Sequence, residues 1–336
     1  MRIAYNIMIQ TFTDILMQRG VASEAADLTA KIMADNSLDG VYTHGANRFP
    51  RLIQYIDEGY IDINAKPECL LSAGAFERWD GHLGMGVLNA RAAMARAVEL
   101  ASEHSVGIVA LGNTNHWMRG GAYGWQAADA GCVGICWTNT RPNMPAWGGT
   151  DKKIGNNPFV MAVPRSDGRH VVVDMAMSQF SYGKIEEARL QGKRLPVAGG
   201  YDSNGQITND PIEIEKTMRV LPTGFWKGSS MSIAMDLIAA LLSAGLTTSE
   251  VGRRYTEEYG LSQVFVAIGQ NQFNTAEFSD GLIESVIQDL KSSMPMVEDT
   301  TLRYPGERDY KVRMEQLENG IEVVPEVWEK ILGLLG

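Results

Sequence analysis

The sequence predicts an α/β protein whose two ends are helical and whose middle alternates helices with strands. Residues 1–60 read as successive helices, 76–304 switch repeatedly between helical and strand periodicity, and the last stretch, EVWEKILGLL, is helical again. We expect residues 1–75 and 305–336 to pack together as one discontinuous helical domain beside an α/β domain spanning 76–304.

In chain order, MRIAYNIMIQTFTDILMQRG interrupts its apolar residues with Asn6, Gln10, Thr13 and Asp14, which suits an amphipathic helix and not a signal peptide. Ser23 is placed to cap a helix through EAADLTAKIMADNSLDG that stops at Gly40, and a second helix runs from Ala46 to Glu58 with Gly59 as its stop. CLLSAGAFERWDG reads as two short strands around a turn. The Ala-rich LGMGVLNARAAMARAVELASEHS is a long helix feeding the buried strand VGIVALGN. GAYGWQAADAG, GSSMSIAMDLIAALLSAG and GLIESVIQDLKSSM read as helices; CVGICWTNT, PFVMAVP, HVVVDMAMS and SQVFVAIG read as strands; GGYDSNGQITNDP reads as an exposed turn region.

Composition narrows the function classes. With 45% hydrophobic and 21% charged residues, the 336-residue chain is globular and has material for a large core. The net charge of −10, without a basic block, argues against a nucleic-acid binder. The longest apolar run, Ile233 to Leu242, contains Asp236 and is too short for a bilayer. Three cysteines, Cys69, Cys132 and Cys136, make no disulfide framework and suit a reducing cytoplasm. Cys132 and Cys136 read as small buried strand residues, not metal ligands. No metal site is expected, since no H-E-x-x-H or similar cluster occurs, and no G-x-S-x-G elbow points to a hydrolase.

Of five histidines, two stand out. His44 lies just before a helix, with Arg48 four residues on. A helix starting near Ala46 would turn both toward one space, His44 as an acid for a developing alkoxide and Arg48 as a carboxylate clamp. A helix-capping histidine beside a surface arginine satisfies the spacing equally well. His116 follows a buried strand in GNTNHWMRGGAYGW, where α/β sheets gather ligands, although asparagines satisfying a turn explain the same pattern. His82, His104 and His170 read as turn or surface residues. GFWKGSSMS sets Lys227 at a helix N-terminus, a place for phosphate or for an ordinary Ser-capped helix. Asp174 and Ser178 end a strand and are placed to bond a ribose or amide, or to cap. Asp236 reads as a satisfied buried polar group. The G-x-G-x-x-G fingerprint is missing: Gly84-Met85-Gly86 is followed by Asn89.

Taken together and in order, YTHGANRFPR, GNTNHWMRGGAYGWQAADAG, ICWTNT, IGNNPFVMAVP, VVVDMAMSQFSYGKIEEARLQGKRLP, GFWKGSSMSIAMDLIAALLS and RYPGE resemble the malate/L-lactate dehydrogenase family across about residues 3 to 333. The resemblance implies a mixed-sheet nucleotide-binding domain of non-Rossmann topology, which accounts for the absent glycine fingerprint. It also implies a homodimeric, NAD(P)H-dependent reductase of a small 2-oxo acid, with NAD as cofactor and NADP as the alternative. The family's proton donor falls on His44, and its cofactor strand on Val172, Val173, Asp174, Met175, Ala176, Met177 and Ser178. Its Trp-Lys pair falls on Trp226 and Lys227. Its C-terminal Pro-Gly loop falls on Gly306, Glu307 and Arg308, where this sequence departs from the Gly-His-Glu of the reductases. His116 falls on a catalytic or substrate-contacting position. Arg48 is read as the carboxylate binder and Asn115, Thr140 and Arg141 as pocket wall, the extra arginine favouring a doubly polar or acidic substrate. The nearest branch of the family reduces a sugar-derived diketo acid. Malate, lactate, ureidoglycolate and sulfolactate chemistry stand as alternatives, as does a non-catalytic organic-anion binder on the same fold.

Overall fold

A computed structural model of the chain describes residues 1–270, 273–296 and 300–336. At its centre lies a seven-stranded mixed sheet in the spatial order Glu68–Ala73, Phe76–Asp80, Val106–Asn115, Tyr259–Ile268, Val133–Thr138, Phe159–Val163 and Val171–Met175. Phe76–Asp80 and Val106–Asn115 pair in parallel, and the helix Gly86–His104 supplies the crossover such a pair needs. The other neighbours are antiparallel. The strand predicted for CVGICWTNT forms over Val133–Thr138 with Gly134, Cys136 and Thr138 buried, and Cys132 is buried just before it. All three cysteines are free thiols.

The helical layer joins the two ends of the chain. Helices Tyr5–Gln18, Ser23–Leu38 and Phe49–Asp57 share one core with Ile321, Val323, Trp328 and Ile331. Arg2–Ile3 pairs antiparallel with Ile321–Glu322. Phe12 and Phe49 stack at 3.9 Å, fully buried, and each contributes about 1.5–3 kcal/mol relative to exposure.

Several local expectations need correction. Ser23 is the first helical residue and not the cap, which is Ala22 without a side-chain bond. The helix expected from Ala46 begins at Phe49, because Pro50 has no N–H to give and fits only a helix's first turn. The strand Glu68–Ala73 belongs to the sheet, although the expected boundary put residues up to 75 in the helical layer. GGYDSNGQITNDP contains a short hairpin, Gly200–Tyr201 with Ile207–Thr208. Of the Pro-Gly loop, Gly306 lies in a turn and caps the helix Glu307–Asn319, so Glu307 and Arg308 are helical and not loop residues. His170 is buried, with Nδ1 accepting from the Arg165 N–H at 2.9 Å and Nε2 2.9 Å from Asp129. Asp236 is satisfied as read, accepting from the Asn139 amide and the Thr248 N–H, each at 2.8 Å. No single described helix is long and apolar enough to cross a membrane.

Candidate active site

His44 ends a short 3₁₀ turn, Tyr42–His44, pressed onto the end of the helix Ser23–Leu38. Three features fix it. The Asn36 amide donates to the His44 carbonyl at 2.9 Å, and the Ser37 hydroxyl accepts from the Ala46 N–H at 2.8 Å. Gly45 leaves no room for a side chain, since a Cβ there would lie 2.1 Å from the Ser37 hydroxyl. The Thr43 hydroxyl lies 3.1 Å from His44 Nδ1, which leaves Nε2 for the cleft.

His116 arrives from the opposite direction, at the end of the strand Val106–Asn115. Its Nδ1 accepts from the Met118 N–H at 3.0 Å, so the neutral ring carries its proton on Nε2. The two imidazoles lie nearly parallel, 9° apart, with centroids 5.8 Å apart. Arg48 completes the group, not through a shared helix face but as the αR residue just before the helix Phe49–Asp57. Its guanidinium makes no hydrogen bond among the described residues and faces Glu258 at 3.6 Å. Arg48, Asn115 and His116 line a small cavity with Arg51, Leu52, Tyr55, Ile61 and Met118.

The electrostatics follow from burial beside positive charge. Burial pushes the His44 imidazole down to about 4; Asp174 opposes this, and Arg48 and Arg119 add to it. Burial holds His116 well below the usual histidine range, helped by Arg48, His44 and Arg51. Burial also lowers the Arg48 guanidinium from its ordinary value, against the pull of Glu258. Each of these groups would be relieved by an anion. The arrangement can therefore accept an anion at Arg48 and an oxygen beside the two imidazoles.

The segments expected to hold a cofactor meet at one edge of the sheet. Val171–Met175 is the edge strand. The Val172 N–H donates to the Pro305 carbonyl at 3.0 Å, drawing in the turn that carries Gly306. Beyond the strand, the Thr223 N–H donates to the Met177 carbonyl at 2.8 Å, and Ser178 bridges Pro222, which sets the Trp226–Ser243 helix start alongside. There Trp147 and Phe225 face each other at 5.1 Å, and both rings and Trp226 are exposed. Exposed aromatic rings and a helix N-terminus with Lys227 beside the sheet's edge can take a dinucleotide's rings and pyrophosphate. Val173, Asp174, Met175 and Ala176 are at least partly accessible, whereas Val172, Met177 and Ser178 are buried. Asp174 accepts from the Gly121 N–H at 2.9 Å, at the start of the helix Gly121–Asp129. Glu307 is buried between Lys291 and Lys311, at 2.9 and 2.8 Å, while Arg308 is exposed. The edge strand acts on His44 through Asp174, and the helix Tyr182–Leu190 packs against the same turn, where a Cβ at Gly183 would lie 2.8 Å from Thr43.

A profile of the malate/L-lactate dehydrogenase family matches residues 3–332. The chain belongs to the malate/L-lactate dehydrogenase family. It is thus an oxidoreductase of hydroxyl and oxo groups, and the family implies a nicotinamide cofactor. The chain is 45% identical over 334 residues to the 2,3-diketo-L-gulonate reductase of Citrobacter koseri, covering 99% of this chain and 100% of that one. It is 44% identical to the enzyme of the same name from Klebsiella pneumoniae, with the same coverage. Among solved structures, sulfolactate dehydrogenase from Methanocaldococcus jannaschii superposes with a TM-score of 0.88 at 27% identity, covering 99% of this chain and 96% of that one. Malate dehydrogenase from Entamoeba histolytica shares the fold, with a TM-score of 0.93 at 22% identity over 99% of this chain and 97% of that one.

Within this family member, the residues read as pocket wall are largely committed to the scaffold. The Asn115 amide donates to the carbonyls of Tyr60, Leu83 and Gly84, the shortest at 2.6 Å, while its buried Oδ1 has no partner among the described residues. Thr140 is buried against Asn156 and Asn157. Arg141 donates to the Thr256 carbonyl at 2.6 Å, beside Glu257. Glu258 was not legible from its surroundings in the sequence. The antiparallel register sets Tyr259 opposite Asn115, and the next step places Glu258 beside His116, with Nε2 and Oε2 4.0 Å apart. Arg119 was also missed. It is buried among Asp39, Asp174 and Asp309.

Proposed function

We propose that this protein reduces the 2-oxo group of a sugar-derived diketo acid, the reaction of a 2,3-diketo-L-gulonate reductase, with NADH as reductant. The carrying observation is the Arg48 guanidinium, half-buried without a hydrogen bond and next to two imidazoles that burial keeps neutral. The names of relatives at 44–45% identity support the substrate class.

A bound reduced nicotinamide supplies the hydride to the 2-oxo carbon. Arg48 pairs with the substrate carboxylate and orients it. His116 offers its Nε2–H to the carbonyl or a neighbouring hydroxyl. The carboxylate at Arg48 offsets one of the charges that, after burial, depress His44, so the ring takes a proton more readily once substrate is in place. His44 then gives its proton to the oxygen that becomes the alcohol. Residues Val172 to Ser178, Trp226, Lys227, Gly306, Glu307 and Arg308 form the side of the cleft assigned to the cofactor.

The purified chain assayed with NADH and with NADPH against 2,3-diketo-L-gulonate, pyruvate, oxaloacetate and sulfopyruvate tests this. Nicotinamide absorbance is expected to fall fastest, per unit of kcat/KM, with the diketo acid and NADH. Saturable nicotinamide binding with no turnover of any oxo acid would instead favour an organic-anion binder.

We propose further that the working unit is a cytoplasmic homodimer. The three free thiols support the compartment. The Trp226–Ser243 helix supports the dimer: it buries Gly228, Ser229, Ser232 and Ala239 and leaves Ile233, Leu237, Ile238 and Leu241 exposed. A helix turned this way invites a second surface to cover it. Light scattering is expected to give about twice the 36.8 kDa chain mass, and a monomer mass would end the proposal.

A further inference from the structure

We infer that Glu258 determines substrate specificity, accepting hydroxyl groups of a polyhydroxylated 2-oxo acid and turning away dicarboxylates. The inference rests on the reading of this cleft as a 2-oxo acid reductase site.

Glu258 is placed by sheet register, one residue beyond the Tyr259–Asn115 pair, so its side chain reaches the mouth of the His116 cavity. The surrounding loop is fixed. Glu257 accepts from the Tyr55 hydroxyl at 2.6 Å and from Arg51 at 2.7 Å, and Tyr259 stacks on Tyr60 at 5.0 Å. The two adjacent carboxylates differ in use. Glu257 accepts two hydrogen bonds, both at Oε2. The Glu258 carboxylate is only 14% exposed, and no hydrogen bond among the described residues reaches it; its neighbours are Arg48 at 3.6 Å and His116 at 4.0 Å. A buried carboxylate has about four acceptor positions, and leaving them empty is costly. Donors that arrive with a ligand fill them, and hydroxyls are the donors a sugar acid brings.

The charges point the same way. Arg48 is the cation available to a carboxylate here, because Arg51 is paired with Glu257 and Arg141 donates to the Thr256 carbonyl beside that same glutamate. Arg141 was read as favouring an acidic substrate; its engagement leaves that preference without a cation. A monoanion meets Arg48. A second carboxylate meets Glu258, and like charges at short range are a strong device against a wrong ligand.

Glu258→Gln in the full chain tests this, with kcat/KM measured on 2,3-diketo-L-gulonate, oxaloacetate and pyruvate. Cooperative unfolding and nicotinamide affinity equal to wild type establish that the variant is folded. The diketo acid is expected to lose about 10- to 100-fold, oxaloacetate to hold or gain, and pyruvate to change by less than about threefold. A uniform loss on all three substrates, or no change on any, overturns the role of Glu258 while the wild-type preference for the diketo acid stands. A wild-type enzyme that prefers oxaloacetate overturns the substrate reading itself and this inference with it.

Discussion

His44→Gln is expected to lower kcat for carbonyl reduction by about 10²- to 10⁴-fold while leaving nicotinamide affinity unchanged. Glutamine keeps the polarity and much of the size of the ring but has no proton to deliver near neutral pH. The turn that carries His44 is held through its backbone, by Asn36 and by Ser37 through Ala46, so the substitution leaves the scaffold in place. A kcat within tenfold of wild type would remove His44 from the proton-donor role. The same variant has a pH signature. The folded-state value is about 4 against 6.5 for a free histidine. Above pH 6.5 both states are neutral and His44 adds no pH dependence. Between 6.5 and about 4 the unfolded chain takes up a proton that the folded chain refuses, so the native state loses on the order of 3 kcal/mol as pH falls. Urea unfolding at pH 7.5 and 4.5 is expected to show a smaller acid-induced loss in His44→Gln than in wild type. Equal losses in the two proteins would mean the ring is not held neutral by its surroundings.

The path from sequence to this site was uneven, and the reasons are physical. Most strands and long helices were legible, because the sheet buries near-continuous apolar runs and Gly86–His104 is dense in alanine. His44 and Arg48 were found together for a partly wrong reason. A shared helix face was expected, yet Pro50 delays the helix and a 3₁₀ turn does the positioning. The helix Glu307–Asn319 was not marked out within the helical end, and Glu307 and Arg308 were placed in a loop, because its surface is mostly charged. Glu307 and Asp309 in its first turn were the available signal, acidic side chains facing the positive end of the helix. Glu258 lay beyond reach: TEEYG reads as a polar turn, and only the pairing of Tyr259–Ile268 with a strand far earlier in the chain brings it to His116. Strand order in a mixed sheet is a long-range property that local pattern does not encode.

Replacing Arg119 with methionine is expected to destabilise the fold by about 3–5 kcal/mol in urea unfolding near pH 7.5. Arg119 is 2% exposed and touches three carboxylates: Asp39, Asp309 at 2.6 Å and Asp174 at 3.7 Å. Asp39 and Asp35 are also held by Arg313, at 2.6 and 3.1 Å, so the network ties helix Ser23–Leu38 to helix Glu307–Asn319 and to the end of the edge strand. Methionine fills the volume but leaves Asp39, Asp174 and Asp309 facing one another without their shared cation. The penalty has a sign in pH. Burial already holds the Asp309 carboxyl above its ordinary value, with Arg119 opposing. Without Arg119 it rises further, so the carboxyl takes a proton more readily and the unpaired charge is relieved as pH falls. The destabilisation is therefore expected to be larger at pH 8 than at pH 5. A loss below about 1 kcal/mol, or one independent of pH, would show that the cluster is held by packing and not by its central cation. Because the network joins the end of helix Ser23–Leu38, onto which the turn of His44 is pressed, to Asp174 in the edge strand, the same substitution is expected to raise KM for the nicotinamide more than it lowers affinity for the oxo acid. Arg119→Lys, which keeps the charge without the fork, is expected to fall between the two.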